Sequence, residues 1–248
     1  MNSPRLSFPK PLLLSLMLML LFASGCAGPS VRVAKVKDFG VQQLQRDGLM
    51  LAAVTALGGG EYLVSDTTNE RFETMLSTKA DGIPFVSHSA VRKAVGESEH
   101  EAFLKKISED GEIPLSFVDA VKVAVPDVRY LMWVDLNGDQ ASSDVRYSQE
   151  NEYRVERDRK TGEERRVLEA TRYITTSSSS RCVRAVFRIV DLSNHRTVWS
   201  ADASDCLSNS QSSNSYLRHP KPVKMPVPGT FEVFETMMEP VVDALYQR

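Results

Sequence analysis

The sequence is poor in the residue types from which most catalytic and metal sites are built. It has four histidines and three cysteines among 248 residues. Neither HExxH, nor GxSxG, nor a closely spaced cysteine pair occurs, so the motif-based zinc and hydrolase sites are absent. A Ser-His-Asp triad needs no fixed spacing in the sequence, so the absence of these motifs does not exclude one. We expect no enzyme, no catalytic residue, no cofactor and no metal ligand; the histidines lie in four separate segments, at His88, His100, His195 and His219.

One acidic stretch invites a calcium interpretation. Residues 135–139 read Asp-Leu-Asn-Gly-Asp. However, Gly138 comes too early for an EF-hand loop, and no glutamate stands at the twelfth position. We therefore predict a plain turn that closes a strand.

The chain has no excess of basic residues. It carries 30 Lys and Arg against 32 Asp and Glu, for a net charge of −2. A nucleic-acid-binding protein would show a clustered basic surplus. We therefore expect no nucleic-acid partner.

The chain also lacks an apolar run long enough to cross a membrane. Its main apolar block, Leu12 to Ala23, is interrupted by Ser15 and falls short of the ~20 residues that a transmembrane helix needs. Arg5 and Lys10 precede the block and small residues follow it, which is the order of a secretory signal. We predict that residues 1–25 are a cleaved signal peptide.

The residue after the predicted cleavage site is Cys26, which follows Ala23-Ser24-Gly25. This stretch resembles the bacterial lipobox, in which small residues precede a cysteine that is lipidated and becomes the new N-terminus. The resemblance implies acyl chains on Cys26 and a membrane as one partner. Since Ala27 rather than aspartate follows, the usual sorting pattern implies the periplasmic face of the outer membrane. The alternative is an ordinary signal peptide followed by an unmodified cysteine.

The two remaining cysteines form an even pair in what would be an oxidising compartment. They flank a stretch that reads as a β-hairpin, and both are equally far from Asn194 at its centre. The same register gives one largely apolar face, which a slip of one residue would scramble. Directly opposed residues are close enough for a disulfide. We predict a structural Cys182–Cys206 disulfide, with two free reactive thiols as the alternative; the opposed pairs are Val183 with Asp205, Ala185 with Ala203, Phe187 with Ala201, and Ile189 with Trp199.

The remaining chain reads as alternating strands and helices followed by hairpins. Apolar spacing and capping residues predict three buried strands and five helices. Residues 26–46 are predicted to be a lipidated tether, and residues 47–248 a single globular α/β domain. We expect a mixed sheet with helices on its faces, extended by antiparallel hairpins toward the C-terminus. The strands are 49–54, 83–87 and 129–134, and the helices begin near Asp66, Ser89, Ser98, Ser116 and Thr230.

Four later segments have polar or unusual compositions. Residues 147–175 read as a long charged hairpin around a turn at 158–163. Residues 177–180 are all serine and are predicted to break the sheet, while 207–216 are predicted to form a loop. Residues 219–228 contain four prolines and are predicted to be an extended linker.

This order of elements behind a lipobox resembles the curli-secretion lipoproteins. It is also similar to the lipoprotein activators of penicillin-binding proteins and to the N-terminal domain of the translocation protein TolB. The group's hairpin signature, Val-x-x-Val-Asp-Leu, a turn and Val-Trp-Ser, resembles residues 186–192 and 198–200, with one extra residue between Val186 and Val190. The resemblance covers residues 47–247 and implies a protein-binding fold without enzymatic activity.

The resemblance implies a membrane-anchored periplasmic lipoprotein that acts as an adaptor or assembly factor for an envelope protein complex. The channel activity of the curli lipoprotein is not implied, because residues 152–166 carry charges that we place on both faces of the hairpin, and charge is costly in lipid. The alternative is a small-ligand or glycan-binding lipoprotein with a cleft near the helices. A deep apolar pocket would favour that alternative, and a flat charged face would favour the adaptor. The sequence leaves the oligomeric state open.

Overall fold

A computed structural model of the protein describes residues 29–58, 61–79, 82–110 and 113–246. The predicted signal peptide, the predicted lipid site Cys26 and two residues of the Gly58–Gly60 loop lie outside this range. None of the helices in these ranges is long and apolar enough to cross a membrane.

Seven strands and six helices are found in the described part of the chain. The strands are β1 (Ser30–Lys35), β2 (Leu49–Gly58), β3 (Glu61–Val64), β4 (Phe85–Val86), β5 (Tyr130–Arg157), β6 (Glu164–Asp191) and β7 (Arg196–Ser215). The helices are α1 (Val41–Asp47), α2 (Asp66–Lys79), α3 (His88–Val95), α4 (Glu97–Asp110), α5 (Leu115–Ala124) and α6 (Thr230–Tyr246).

The strands form one mixed sheet in the order β1-β7-β6-β5-β2-β3, with β4 alongside β2. Strand β2 is parallel to both β4 and β5, and the other pairs are antiparallel. This is the mixed α/β sheet with C-terminal hairpins that the sequence predicts, and the prediction is confirmed.

Helices cover both sides of the sheet near β2. Helices α2 and α6 pack on one side, where the rings of Phe72, Phe187 and Phe234 lie 5.8–5.9 Å apart. Helices α3, α4 and α5 pack on the other side, where Phe103 stacks on Phe117 at 3.9 Å. Strand β2 is buried on both faces, and this explains its unbroken apolar sequence.

The segment predicted to be a tether is partly built into the fold. Strand β1 pairs with β7, with Ser30 opposite Ser204, and Leu44 of α1 is fully buried. Strand β1 and helix α1 therefore belong to the folded domain, whereas the sequence predicts a tether up to residue 46. The local pattern is weak because Val31 is the one β1 residue that packs against the core, while Val33 on the same side is exposed.

Three segments predicted to interrupt the sheet are strand instead. Residues 135–139 continue β5 through a bulge, because Asn137 pairs with Arg184 and Gln140 with Cys182. Gly138 has φ +65° there, a conformation that glycine adopts without a Cβ penalty. The predicted break at 177–180 lies inside β6, and nearly all of the predicted loop at 207–216 lies inside β7. Those three predictions are wrong.

Candidate interaction surface

The predicted disulfide is confirmed. Cys182 and Cys206 face each other on β6 and β7, with an S–S distance of 2.06 Å and a Cα–Cα distance of 4.0 Å. All four opposed pairs of the predicted register are also found, from Val183 with Asp205 to Ile189 with Trp199. A bulge after Ile189 shifts the pairing by one residue before the turn. The disulfide therefore joins two strands whose register the apolar face already sets.

No helix among the described residues covers one side of β6, β7 and β1. We call this side the open face; its side chains come from Arg32, Arg184, Val186, Arg188, Ser200, Asp202 and Ser204. Helix α6 packs on the opposite side of these strands. Alternation along the strands sends every second side chain to this uncovered side. The result is a flat, polar surface with three guanidinium groups.

The charges of the open face are held in fixed positions. The Arg184 Nε donates to the Asp202 carboxylate at 2.7 Å, and this bond lowers the pKa of Asp202. The Arg188 guanidinium lies 5.0 Å from the centre of the Trp133 ring, within range of a cation–π contact. At the border, burial raises the pKa of Asp135, to which Asn137 donates at 3.3 Å. The cations outnumber the exposed carboxylate, Asp202, and the surface is positive.

Beyond the disulfide, β5 and β6 extend past the rest of the sheet. Strand β7 accompanies them only to Ser215, opposite Tyr173. The last part, up to the turn after Arg157, is therefore a two-stranded ribbon. We call residues 144–173 the projecting hairpin.

The two sides of the projecting hairpin differ in chemistry. Odd-numbered residues of β5 share one side, and Leu168 lies directly opposite Tyr153 on that side. All the large exposed apolar residues of β5 and β6 fall on this side: Val145, Tyr147, Tyr153, Val155 and Leu168. The expectation of charge on both faces over residues 152–166 is confirmed, because Arg157, Glu164 and Arg166 share the apolar side near the tip.

The opposite side of the projecting hairpin carries several ion pairs. The Arg172 guanidinium donates to Glu152 at 2.6 Å, and the Tyr216 hydroxyl donates to the same oxygen at 3.0 Å. Nearer the tip, Glu156 pairs with Arg154 and Arg165. These exposed pairs contribute little stability individually, but they mark this side as water-facing.

The proline-rich segment is bound along β6. The hydroxyls of Thr175 and Ser179 donate to the carbonyls of Pro220 and Pro226, at 2.9 and 2.6 Å. Between them the Val223 amide donates to the Ser177 hydroxyl at 3.0 Å. Thr175, Ser177 and Ser179 are buried as a result. The predicted linker forms no helix or strand, and it is a bound part of the fold.

A cavity of about 520 Å³ lies between α2 and α3. Its lining is polar, with four carboxylates and two cations: Asp66, Glu70, Glu73, Glu97, Arg92 and Lys93. His88 also lines it, and its buried Nε2 has no hydrogen-bond partner among the described residues. This cavity is not the deep apolar pocket that would favour a small-ligand protein.

Two histidines from separate sequence segments meet beside this cavity. The rings of His88 and His100 lie 5.1 Å apart, and the Ala52 carbonyl lies 3.1 Å from the His100 Nε2. Burial, together with the nearby His100, lowers the pKa of His88 to about 4. Burial also lowers the pKa of His100 and raises that of Glu73. This contact could not be predicted from the sequence, because no local pattern places positions 88 and 100 on one surface.

The remaining residues named from the sequence do not assemble into a site. Within the described ranges no group of three or more His, Cys, Asp or Glu side chains could hold a metal ion. His195 and His219 lie apart from the other two histidines, on the turn before β7 and on the proline-rich segment. The alternation of hydroxyl residues over 175–179 is the one signal that could have revealed the bound segment.

Comparisons with known proteins give structural neighbours only. No family model matches the chain, and no curated protein matches it. The PelC dodecamer from Paraburkholderia phytofirmans is 13% identical, with 89% of this chain and 99% of that chain covered and a TM-score of 0.37. The lipoprotein GNA1162 from Neisseria meningitidis is 11% identical, with 68% and 84% covered and a TM-score of 0.26.

A PDZ domain protein from Parabacteroides distasonis is 12% identical, with 97% of this chain and 41% of that chain covered and a TM-score of 0.20. The neighbours thus include a protein described as a lipoprotein. Likenesses with such low TM-scores carry no argument about the specific family or about activity.

Proposed function

We propose that this chain is a lipid-anchored protein of the bacterial cell envelope that acts as a non-enzymatic adaptor or assembly factor for an envelope protein complex. Cys26 carries the lipid, and the protein faces the periplasm from the outer membrane. The sequence supports the anchor through the order of signal peptide, small residues and cysteine.

The open face is the observation that carries the adaptor proposal. A sheet face that lacks a helix layer is free to receive a partner. Its fixed charges, with Arg184 bound to Asp202 and Arg188 over Trp133, present a preformed positive pattern. Such a pattern selects a partner through complementary charge. The partner surface is therefore expected to be acidic.

The small-ligand alternative receives less support. Ligand sites are usually concave and mainly apolar, with a few polar groups. The cavity between α2 and α3 has the opposite composition, since charged groups dominate its lining. The open face is flat and charged, as an adaptor requires.

Site-specific photo-crosslinking in intact cells tests the proposal. A photoreactive residue at Arg184 or Ser204, both exposed on the open face, is expected to capture one envelope protein. The same residue at Val123, which is 85% exposed on α5, serves as the control position. Charge reversal by Arg188→Glu is expected to abolish capture at Ser204. Capture of no envelope protein at either open-face position, or equal capture at Val123, would contradict the adaptor function.

A further inference from the structure

The lipid anchor joins the chain near the end of the molecule from which the hairpin projects. This placement rests on the proposed lipidation of Cys26. Strand β1 runs antiparallel to β7, with Ser30 opposite Ser204 and Lys35 opposite Trp199. Strand β7 leads from the turn after Asp191 toward the projecting hairpin. The N-terminal end of β1 therefore points toward the hairpin end of the molecule.

The chain between the anchor and the sheet is short. Four peptide units join Cys26 to Ser30, and an extended chain spans at most about 3.6 Å for each, or roughly 14 Å in total. The body of the protein is thus held close to the lipid surface. The hairpin extends much farther, because the twenty residues of β5 after Asn137 cover roughly 65 Å at 3.3 Å each.

A hairpin that contacts the bilayer either crosses it or lies along its surface. A crossing brings Glu152, Arg154 and Glu156 into the hydrocarbon, at a cost of several kcal/mol for each charge near the middle. An arrangement along the surface keeps those charges in water. It also gives the exposed apolar side a place against the lipid.

The apolar side has the composition of a membrane-interface element. Tyr153, Val155 and Leu168 are 55%, 59% and 52% exposed, and they form one contiguous group. Tyrosine suits the headgroup level, because its ring is apolar and its hydroxyl is polar. The tip adds positive charge, since residues 157–166 contain five Arg and Lys against three Asp and Glu, and anionic lipid attracts such a segment.

We propose that the side of the projecting hairpin that carries Tyr147, Tyr153, Val155 and Leu168 lies against the lipid surface to which Cys26 anchors the chain. The charged side, with Glu152 and Glu156, faces the aqueous phase. The lipid and the hairpin then hold the body in one orientation, with two separated points of contact. The open face remains accessible to a protein partner.

Quenching by brominated phospholipids tests this arrangement in the full lipidated protein. The two native tryptophans, Trp133 and Trp199, are buried and give a constant background. The mature protein carrying Val155→Trp is reconstituted into phosphatidylethanolamine–phosphatidylglycerol vesicles with and without dibrominated chains. We expect the added emission to shift to the blue in vesicles and to lose most of its intensity with brominated lipid.

Two matched variants define the control. Glu156→Trp places the probe one residue farther, on the charged side, and Val123→Trp places it on an exposed apolar position of α5. Neither is expected to be quenched. Leu168→Trp repeats the measurement on β6 if Val155→Trp does not fold.

The outcomes separate the two proposals. A protein that does not float with vesicles has no anchor and contradicts the proposed function. A protein that floats, but whose Val155→Trp and Leu168→Trp probes are quenched no more than Val123→Trp, contradicts the hairpin arrangement alone. A blue shift without quenching by lipid also contradicts it, because the apolar side is then covered by protein.

Discussion

The Arg129 guanidinium binds the Asp191 carboxylate at two points, through Nε at 2.9 Å and through Nη2 at 2.6 Å. The same carboxylate accepts bonds from the backbone and side chain of Ser193 and from Asn194, so it also fixes the turn between β6 and β7. Burial opposes ionisation, but the bonds from Arg129 and Ser193 outweigh it and lower the pKa of Asp191 to about 2. The Asp191 carboxylate thus connects the start of β5 to the turn between β6 and β7.

Removal of this carboxylate is expected to destabilise the protein strongly. Breaking a buried pair costs about 3–5 kcal/mol, and the partial exposure of Arg129 reduces the expected loss for Asp191→Ala to about 2–3 kcal/mol. Asp202→Ala, which breaks the exposed pair with Arg184, is the matched control and is expected to cost at most about 1 kcal/mol. Urea denaturation measures both free energies of unfolding. Equal losses in the two variants would show that burial of the pair is unimportant.

The disulfide is expected to stabilise the fold by constraining the unfolded chain. Its two cysteines are 24 residues apart, and a loop of this size corresponds to about 3 kcal/mol. The double variant Cys182→Ser and Cys206→Ser is expected to lose that amount in denaturant titrations. Reduction of the native protein is the control and is expected to give the same loss, while reductant leaves the double variant unchanged. Insensitivity of the native protein to complete reduction would contradict the prediction.

The hydroxyl groups of Thr175, Ser177 and Ser179, which we call the hydroxyl row of β6, are expected to hold the proline-rich segment in place. Thr175→Val, Ser177→Ala and Ser179→Ala remove the groups that bind the proline-rich segment. Each lost bond costs about 1 kcal/mol, so the segment is expected to detach more often. Trypsin then cuts faster after Arg218 and Lys224, and the Val223 amide exchanges its hydrogen faster.

The neighbouring hydroxyls of the same strand supply the matched variant. Thr176→Val, Ser178→Ala and Ser180→Ala make the same chemical changes on the other side of β6. Their side chains have no contact with the proline-rich segment among the hydrogen bonds found; Thr176 and Ser180 bond to Ser212 and Ser142 instead. Cleavage and exchange in this variant are expected to match the native protein. Equal acceleration in both variants would mean that β6 itself, not the hydroxyl row, had been weakened.

These same residues show where prediction from sequence succeeds and where it fails. The cysteine hairpin is predictable because its apolar residues alternate, and only one register keeps Val183, Phe187 and Ile189 on one face. The helices are predictable because their apolar spacing is a local signal. Both kinds of evidence lie within a short stretch of chain. The predicted starting serines are wrong in detail: Ser89, Ser98 and Ser116 lie inside α3, α4 and α5, and Ser87 caps α3.

The hydroxyl-rich continuation of β6 and β7 is invisible to the same reasoning. Thr175, Ser177 and Ser179 alternate toward a covered side, but their partner is a proline-rich backbone some 45 residues away. The proline-rich segment has no periodic sequence pattern from which this contact could be predicted. A polar residue that is buried by a hydrogen bond looks like an exposed polar residue in the sequence. The serine run therefore predicts a break where the structure has a strand.

The buried histidines predict a loss of stability in mild acid. The pKa of His88 is lowered to about 4 in the folded protein, whereas in the unfolded chain it is near 6.5. Between these values the unfolded chain binds more protons, so the free energy of unfolding falls as the pH falls through this window. Glu73 acts in the opposite direction, because burial raises its pKa and the folded protein then takes up a proton more readily.

From about pH 7 to about pH 5, His88 alone is expected to lower the free energy of unfolding by roughly 2 kcal/mol. His88→Gln is expected to flatten the dependence of stability on pH. Denaturant titrations of this variant and of the native protein at several pH values measure the two slopes, and equal slopes would rule out His88 as the source of the dependence.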